Sequence, residues 1–390
     1  MRKSVVFLEQ QSWLGGAQRV LEAALESIGP EYERIVTFPD QGSFRSALEA
    51  KDIETMDLPI GDYSPGKKSS MEKITFAWRS LYCGLKLASF IRKRRVSLVY
   101  INGPRCMPAG VLAAWLTRRP AIFHLHLFLT RRFVIALVAW LARRVSRILA
   151  CCNAARASLL DADYRLAAKT DVLYNPLPQA WNPTAPAPLR KTRQPSDRIT
   201  IGMVGRITEK KGQLLLLRAV GGLPPAIRDK VHLLIVGAEG PRCLPDFVYA
   251  ESLRAEAVRL GLESQITWTG YIADTRSCYA SMDVFVHPAL PPEALSIVIL
   301  EALDSGVPVV ATRTGGIPEM IQDGFNGLLV PPGDDISLRR ALELILGNDA
   351  ARERLQAGAR AGLDHRFLPE RFTFSIRRVI GELCPQQDRL

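Results

Sequence analysis

Two cations five residues apart, Arg206 and Lys211, lie in the run Val204-Gly205-Arg206-Ile207-Thr208-Glu209-Lys210-Lys211-Gly212, directly after an apolar, strand-like segment. Arginine offers a planar fork and lysine a compact point charge, so one loop holding both can neutralise a diphosphate. A basic loop without a ligand reads the same way. Two acids eight residues apart, Glu293 and Glu301, enclose Ala294-Leu295-Ser296-Ile297-Val298-Ile299-Leu300. With a helix beginning near Ala294, Glu293 stands at its mouth and Glu301 about two turns inside, roughly 80° around the axis. Both can then address one cleft, where first-turn amides hold an anion and carboxylates grip sugar or ribose hydroxyls. The plainer alternatives are a helix-dipole partner for Glu293 and a solvated face for Glu301. The apolar neighbours Ile297, Val298, Leu300 and Ala302 make a solvated face uncomfortable.

Three further groups have the residue types for ligand contact. Thr314-Gly315-Gly316-Ile317-Pro318-Glu319 pairs glycines ahead of a helix start, which permits close backbone approach to a ligand and equally describes a tight turn. Leu14-Gly15-Gly16-Ala17-Gln18-Arg19 suits a phosphate or sugar at the backbone. It is not a full G-x-G-x-x-G and no acid ends the next strand, so a nicotinamide site is not supported. His124-Leu125-His126 ends a strand, and alternation puts both imidazoles on one side, as cleft residues or as structural ones. No third ligand stands at useful spacing, which argues against zinc.

These residues need elements to carry them. In the first half, short apolar runs at Ser4–Leu8, Arg34–Thr37, Leu98–Ile101, Ala121–Leu125 and Arg147–Ala150 alternate with helical stretches such as Ala17–Ser27 and Phe76–Lys93. Alternation of that kind predicts a parallel sheet covered by helices. The proline-rich residues 176–197 read as an interdomain linker. Beyond them the alternation restarts at Ile199–Val204, Val231–Val236, Gln265–Thr267, Val284–His287 and Val307–Ala311, with helices from Gly212, over Ala250–Leu260 and over Ala294–Leu303. The expected fold is α/β: two Rossmann-like domains, 1–175 and 198–368, facing one another across a cleft. The tail 369–390 reads as a helix free to cross back to the first domain. Ligands of open α/β sheets bind at the carboxyl ends of the strands, which is where the groups above collect.

Length and composition agree. A chain of 390 residues, 47% hydrophobic and 23% charged, reads as a two-domain globular protein. The longest apolar run, Phe133–Ala142, is about half of a membrane span and reads as a buried core helix. Seven cysteines and no leader-like start imply reduced thiols and a cytoplasmic protein. The net charge of +12 is uneven: residues 1–195 hold 29 Lys/Arg against 15 Asp/Glu, and residues 196–390 hold 22 against 24. Between Tyr63 and Leu160 there are 18 basic residues and one acid, Glu72. Such a field attracts anionic substrates or an anionic membrane. Nucleic acid is disfavoured, because no recognition motif or aromatic platform accompanies the charge.

Read together, the motifs resemble the family 4 retaining glycosyltransferases (glycosyl transferases group 1), whose fold is GT-B. The resemblance runs from Gly15-Gly16 to Pro331. It is carried by Gly205-Arg206…Lys211-Gly212, Leu234-Ile235-Val236-Gly237, Trp268-Thr269-Gly270-Tyr271, Glu293…Glu301 and Gly315-Gly316…Glu319…Gly324…Gly327, in the family's order. It implies that Arg206 and Lys211 bind the nucleotide diphosphate and stabilise the leaving group. Glu301 would take the donor ribose and Glu293 the donor sugar. Gly15 and Gly16 would approach the diphosphate, Gly237 and Tyr271 the base, and His126, with His124 as fallback, the sugar and acceptor. The amides after Leu295 and around Gly316 would also reach the donor; where the family often has a glycine, this chain has Leu295-Ser296.

The implied reaction is retaining, metal-independent transfer from a UDP-sugar or GDP-sugar, with no cofactor, to a glycan or lipid-linked acceptor of a surface polysaccharide or lipopolysaccharide. The basic first domain would lie on the inner face of the plasma membrane through Trp78–Arg95. The competing readings are a GT-B-fold sugar-nucleotide epimerase, which would want extra acids in the first half, and a nucleotide-sugar-binding protein without turnover.

Overall fold

A computed structural model describes residues 2–61, 69–178, 198–240, 244–361 and 363–385. Most of the expected linker, from residue 179 on, lies outside these. The chain divides into two compact units, Met1–Pro178 with Arg366–Leu390, and Gln179–His365.

The first unit runs β1 (Lys3–Glu9), α1 (Gly16–Ser27), β2 (Tyr32–Phe38), α2 (Ser43–Glu49), β3 (Glu54–Asp57), α3 (Ser70–Arg94), β4 (Leu98–Asn102), α4 (Met107–Thr117), β5 (Ala121–Leu125), α5 (Arg132–Ala142), β6 (Arg147–Ala150), α6 (Asn153–Leu160) and β7 (Thr170–Val172). Its sheet has the order β3-β2-β1-β4-β5-β6-β7, and every pairing is parallel. The second unit holds β8 (Ile199–Val204), α7 (Gln213–Gly221), α8 (Pro225–Arg228), β9 (Val231–Val236), α9 (Leu244–Arg259), β10 (Ile266–Trp268), α10 (Arg276–Ala280), β11 (Val284–His287), α11 (Ile297–Asp304), β12 (Val309–Thr312), β13 (Gly327–Val330), α12 (Asp335–Gly347) and α13 (Asp349–Arg360). Its sheet is β10-β9-β8-β11-β12-β13, again parallel.

Two parallel Rossmann-like sheets are therefore present. Three strands were not legible as such: β3, β7 and β13, each at the edge of its sheet. An edge strand is covered less, so it needs no continuous apolar run; β3 reads Glu-Thr-Met-Asp and β7 Thr-Asp-Val, while β13, Gly-Leu-Leu-Val, is apolar but only four residues long. Central strands are buried on both faces and apolar nearly throughout. Four buried polar residues fall at or next to carboxyl ends: Glu9 closes β1, Asn102 closes β4, His124 is next to last in β5 and His287 closes β11. All four are buried, so each must find partners within the fold.

Helix α3 starts at a capping box, in which the Ser69 hydroxyl accepts from the Glu72 amide and the Glu72 carboxylate accepts from the Ser69 amide. This lengthens it six residues beyond the expected start at Phe76. One stripe, Cys83, Leu87, Ala88 and Ile91, is buried and packs against α4. The opposite stripe exposes Met71, Ile74, Trp78, Leu81, Tyr82 and Leu85.

The Phe133–Ala142 segment is not the buried core helix its composition suggested. In α5 only Val138, Ala139, Leu141 and Ala142 are buried, while Phe133, Leu137 and Trp140 face outward. One face satisfies the packing of a helix laid on a sheet, and the apolar excess is left exposed. A last helix, α14 (Pro369–Leu383), belongs to the first unit. It buries Phe372, Ile376, Val379 and Ile380 and packs against α1, where Arg377 Nε donates to the Ser27 carbonyl at 2.6 Å.

Candidate functional site

In the second sheet the strand order reverses between β8 and β11, and the loops leaving their carboxyl ends are laced together. The Leu290 amide donates to the Lys210 carbonyl at 3.0 Å, which brings the basic loop beside the segment carrying Glu293. Lys211 Nζ lies 2.6 Å from Glu293 Oε1. The other carboxylate oxygen faces His287 Nε2 at 3.0 Å. Burial pushes the Glu293 carboxyl up, but the His287 and Lys211 charges and hydrogen bonds outweigh it and hold it well below the usual carboxylate range. His287 is fully buried, and its Nδ1 has no hydrogen-bond partner among the described residues.

A third loop fixes Glu293 from behind. Gly315 has φ +57°, and a Cβ there would sit 1.9 Å from the Glu293 carbonyl oxygen. The Gly316 amide donates to that same oxygen at 2.8 Å. Two corrections follow. The Gly316 amide, expected to reach a donor, is already committed to the chain. Helix α11 starts at Ile297 with Ser296 as its N-cap, not near Ala294. The Glu293 carbonyl accepts from the Gly316 amide of another loop, and the backbone from Glu293 to Ser296 is non-helical. Leu295 and Ser296 are buried in the approach to it.

Glu301 lies inside α11, nearly buried, and accepts from the Tyr279 hydroxyl at 2.8 Å; it is not a solvated face. Arg206 is exposed and forms no ion pair among the described residues, so its guanidinium is available to an anion. The Gly237 amide donates to the Gly270 carbonyl at 2.9 Å, placing Tyr271, 69% exposed, close to the end of β9.

The first sheet reverses between β1 and β4, and a second polar cluster sits at that point. Glu9 is the register partner of Asn102, and Asn102 of His124. Glu9 Oε1 accepts from the Gln10 and Gln11 amides at 2.7 and 3.0 Å and from Gln18 Nε2 at 2.9 Å. Its Oε2 accepts from Asn102 Nδ2 at 2.5 Å. Burial pushes the carboxyl up to about 7 against the pull of these bonds. His126 Nε2 meets Asn102 Oδ1 at 2.6 Å, and burial pushes the imidazole down to about 3 despite a hydrogen bond with Asn175. A ring this hard to protonate offers directed hydrogen bonds rather than a positive charge. His124 is wholly buried behind it, with ring centroids 3.8 Å apart and Nδ1 2.5 Å from the Tyr100 hydroxyl. That makes His124 a core support rather than a surface for an acceptor. Gly15 caps α1 and Gly16 opens it, exposed.

Lys211, Glu293 and His287 are thus joined in one cluster. Glu9, Asn102 and Gln18 were not singled out by sequence, and His287 was seen only as a strand end. The available signal was a polar residue closing an otherwise apolar strand.

The family model for glycosyl transferases group 1 matches residues 187–362, and the model for the glycosyl transferase 4-like domain matches residues 15–176. Over 191 residues the chain is 34% identical to the lipopolysaccharide core biosynthesis glycosyltransferase LpsE of Rhizobium meliloti (strain 1021), covering 49% of this chain and 52% of that one. It is 27% identical over 296 residues to the lipopolysaccharide core biosynthesis mannosyltransferase LpcC of Rhizobium leguminosarum bv. viciae, covering 76% and 79%. The crystal structure of Anabaena HepE in complex with UDP matches with a TM-score of 0.82 at 25% identity, covering 97% of this chain and 100% of that one. The chain spans about half the length of curated relatives such as LpsE.

Proposed function

This chain belongs to the glycosyl transferases group 1 family and has two parallel Rossmann-like sheets of the GT-B kind, and we propose that it transfers a sugar from a UDP-sugar or GDP-sugar to an acceptor hydroxyl, with retention and without a metal. The observation that carries this is the Lys211–Glu293–His287 cluster with Arg206 beside it in sequence, at the carboxyl ends of β8 and β11, within the segment matched by the group 1 model.

In this reading Arg206 and Lys211 take the diphosphate. Lys211 must then loosen from Glu293, whose second oxygen stays with His287, and the freed carboxylate oxygen meets a sugar hydroxyl. Glu301, held by Tyr279, takes the ribose diol. The bond between the anomeric carbon and the phosphate oxygen breaks as the acceptor oxygen attacks from the same face. The acceptor proton passes to the departing phosphate. The two cations stabilise the charge that develops on that phosphate, an effect worth about 10²–10³ in rate for one well-placed donor. On the first unit, Gly15, Gly16 and His126 are assigned to substrate contacts.

HepE was solved with UDP and LpcC is named a lipopolysaccharide core mannosyltransferase; these support a nucleotide-sugar donor and a glycan or lipid-linked acceptor. No helix among the described residues is long and apolar enough to cross a membrane. The exposed apolar stripe of α3, together with Trp115, Phe133, Leu137 and Trp140 on α4 and α5, lies within the strongly basic stretch of the sequence. That pairing supports docking on an anionic bilayer.

A sugar-nucleotide epimerase would need a first-half acid held out to substrate. Glu9 is the acid the structure adds there, but its oxygens take four hydrogen bonds inside the fold. The deciding experiment is a thermal-shift screen against UDP, GDP and their sugars, followed by transfer assays with anomeric NMR of the product. A ligand bound at 100 times its Kd stabilises by about 2.7 kcal/mol. No shift with any of them would sink the reading; a shift without transfer would leave a binding protein.

A further inference from the structure

Glu9, Asn102 and His126 form one hydrogen-bonded chain across the carboxyl ends of three adjacent strands, β1, β4 and β5. Each link has a direction. Glu9 Oε1 faces the amides of Gln10 and Gln11 together with Gln18 Nε2, and backbone amides cannot turn over. An ionised carboxylate only accepts, so Oε2 must also receive a donor, which is Asn102 Nδ2. With its nitrogen so committed, Asn102 presents Oδ1 to His126 Nε2, and that ring nitrogen must carry the proton. We infer that Glu9 is a positioning residue whose carboxylate sets the direction of the Asn102 amide and, through it, fixes His126 as the Nε2–H tautomer. The kinetic consequence rests on the proposed substrate contact of His126; the tautomer itself does not.

The chain is reversible by one proton. A proton added to Glu9 cannot sit on Oε1, where two fixed N–H groups point, so it sits on Oε2 and donates toward position 102. Asn102 must then turn its amide over, Oδ1 accepting from Glu9 and Nδ2 donating to His126 Nε2. The ring proton moves to Nδ1. The groups that face the Glu9 carboxylate are the Gln10 and Gln11 amides, Gln18 from α1, Asn102 from β4 and the Cys106 thiol just ahead of α4. Burial keeps that thiol protonated, so all of these groups are neutral.

The test is nitrogen NMR of the full chain labelled with ¹⁵N-histidine. Only five histidines are present, and His126→Ala identifies the His126 resonances by their disappearance. Wild type at about pH 8 should show the Nε2–H form. Glu9→Gln keeps the shape, but its amide nitrogen can only take the Oε2 place, so the Nδ1–H form should appear. Asn102→Asp should keep Nε2–H, since an acid there accepts from the ring and passes its own proton to Glu9. An unchanged tautomer in Glu9→Gln, or an inverted one in Asn102→Asp, overturns the inference. If Glu9→Gln does not fold, the wild-type tautomer should invert between about pH 8 and about pH 5.5, and constancy there overturns it equally. In transfer assays Glu9→Gln should lower kcat about tenfold with donor KM unchanged. That is far short of the roughly 10⁴ seen when a tautomer error strikes a catalytic base. If His126→Ala leaves transfer intact, the substrate contact of His126 is wrong and the tautomer result still stands.

Discussion

Lys211 Nζ and Glu293 Oε1 lie 2.6 Å apart, although the sequence points the first at a diphosphate and the second at a sugar. The pair brings the two side chains to one place. It also separates two cations that composition cannot. Lys211→Ala leaves a largely buried carboxylate with one partner, at a cost of about 1–3 kcal/mol, whereas exposed Arg206→Ala should stay within about 0.5 kcal/mol of wild type. Both should lose about 10²–10³ in kcat/KM. Urea melts paired with donor kinetics check this, and equal stability loss in the two variants would contradict the pair.

Two buried acids should tilt the pH–stability curve in opposite directions. Glu293 has a depressed pKa in the fold, so its contribution is complete above the ordinary glutamate value of about 4.3 and is lost only as pH falls through the depressed value. Glu9 is raised to about 7. From about pH 4.3 upward the unfolded chain has released that proton while the fold still holds it, so stability falls with rising pH until about 7, by about 4 kcal/mol in all. Melts of wild type and Glu9→Gln across that window should converge at the acid end and diverge toward neutrality. Parallel curves would remove the elevated carboxyl.

Gly315 and Gly324 share a left-handed backbone but not an environment. A Cβ on Gly315 would overlap the Glu293 carbonyl at 1.9 Å, while one on Gly324 would meet nothing within 4 Å. Gly324→Ala should cost only the backbone term, about 1–2 kcal/mol. Gly315→Ala must also displace Glu293 from Lys211 and His287, so it should lose donor turnover by at least about tenfold beyond its stability cost, a displacement of about 1 Å being enough for that. Turnover measured well below each variant's melting temperature separates the two effects.

How much of this was open to inspection of the chain follows from range. Loop motifs are local, so Gly205–Gly212 and Glu293–Glu301 could be found as strings of residues. The parallel architecture could be found because buried strands announce themselves by unbroken apolar runs. Glu9 and Asn102 could not, since they lie 93 positions apart and become neighbours only when β1 and β4 pair. The start of α11 escaped for a similar reason: the segment ahead of it is held by the Gly316 amide, which belongs to another loop. Alanine and leucine at 294 and 295 are good helix formers, and a tertiary hydrogen bond overrules them.

The exposed stripe of α3 divides the basic surface into parts that should behave differently at a bilayer. Within Trp78–Arg95, Arg94 is already paired with Glu33 and Glu54 at 2.7 and 2.6 Å, and Arg92 donates to the Leu116 carbonyl. Those two charges are partly committed to the protein. Trp78 is 68% exposed and Trp140 49% exposed, and neither is needed by the core. Burying an aromatic side chain at an interface is worth about 1.5–3 kcal/mol at most, so Trp78→Ala with Trp140→Ala should weaken binding to acidic vesicles by roughly 10–100-fold. Arg94→Gln should change vesicle binding by less than about fivefold, one charge being worth about 1 kcal/mol near the surface. Flotation against acidic and neutral vesicles at low and high salt measures all three variants. Equal capture by neutral and acidic vesicles would mean that the basic field has no part in docking.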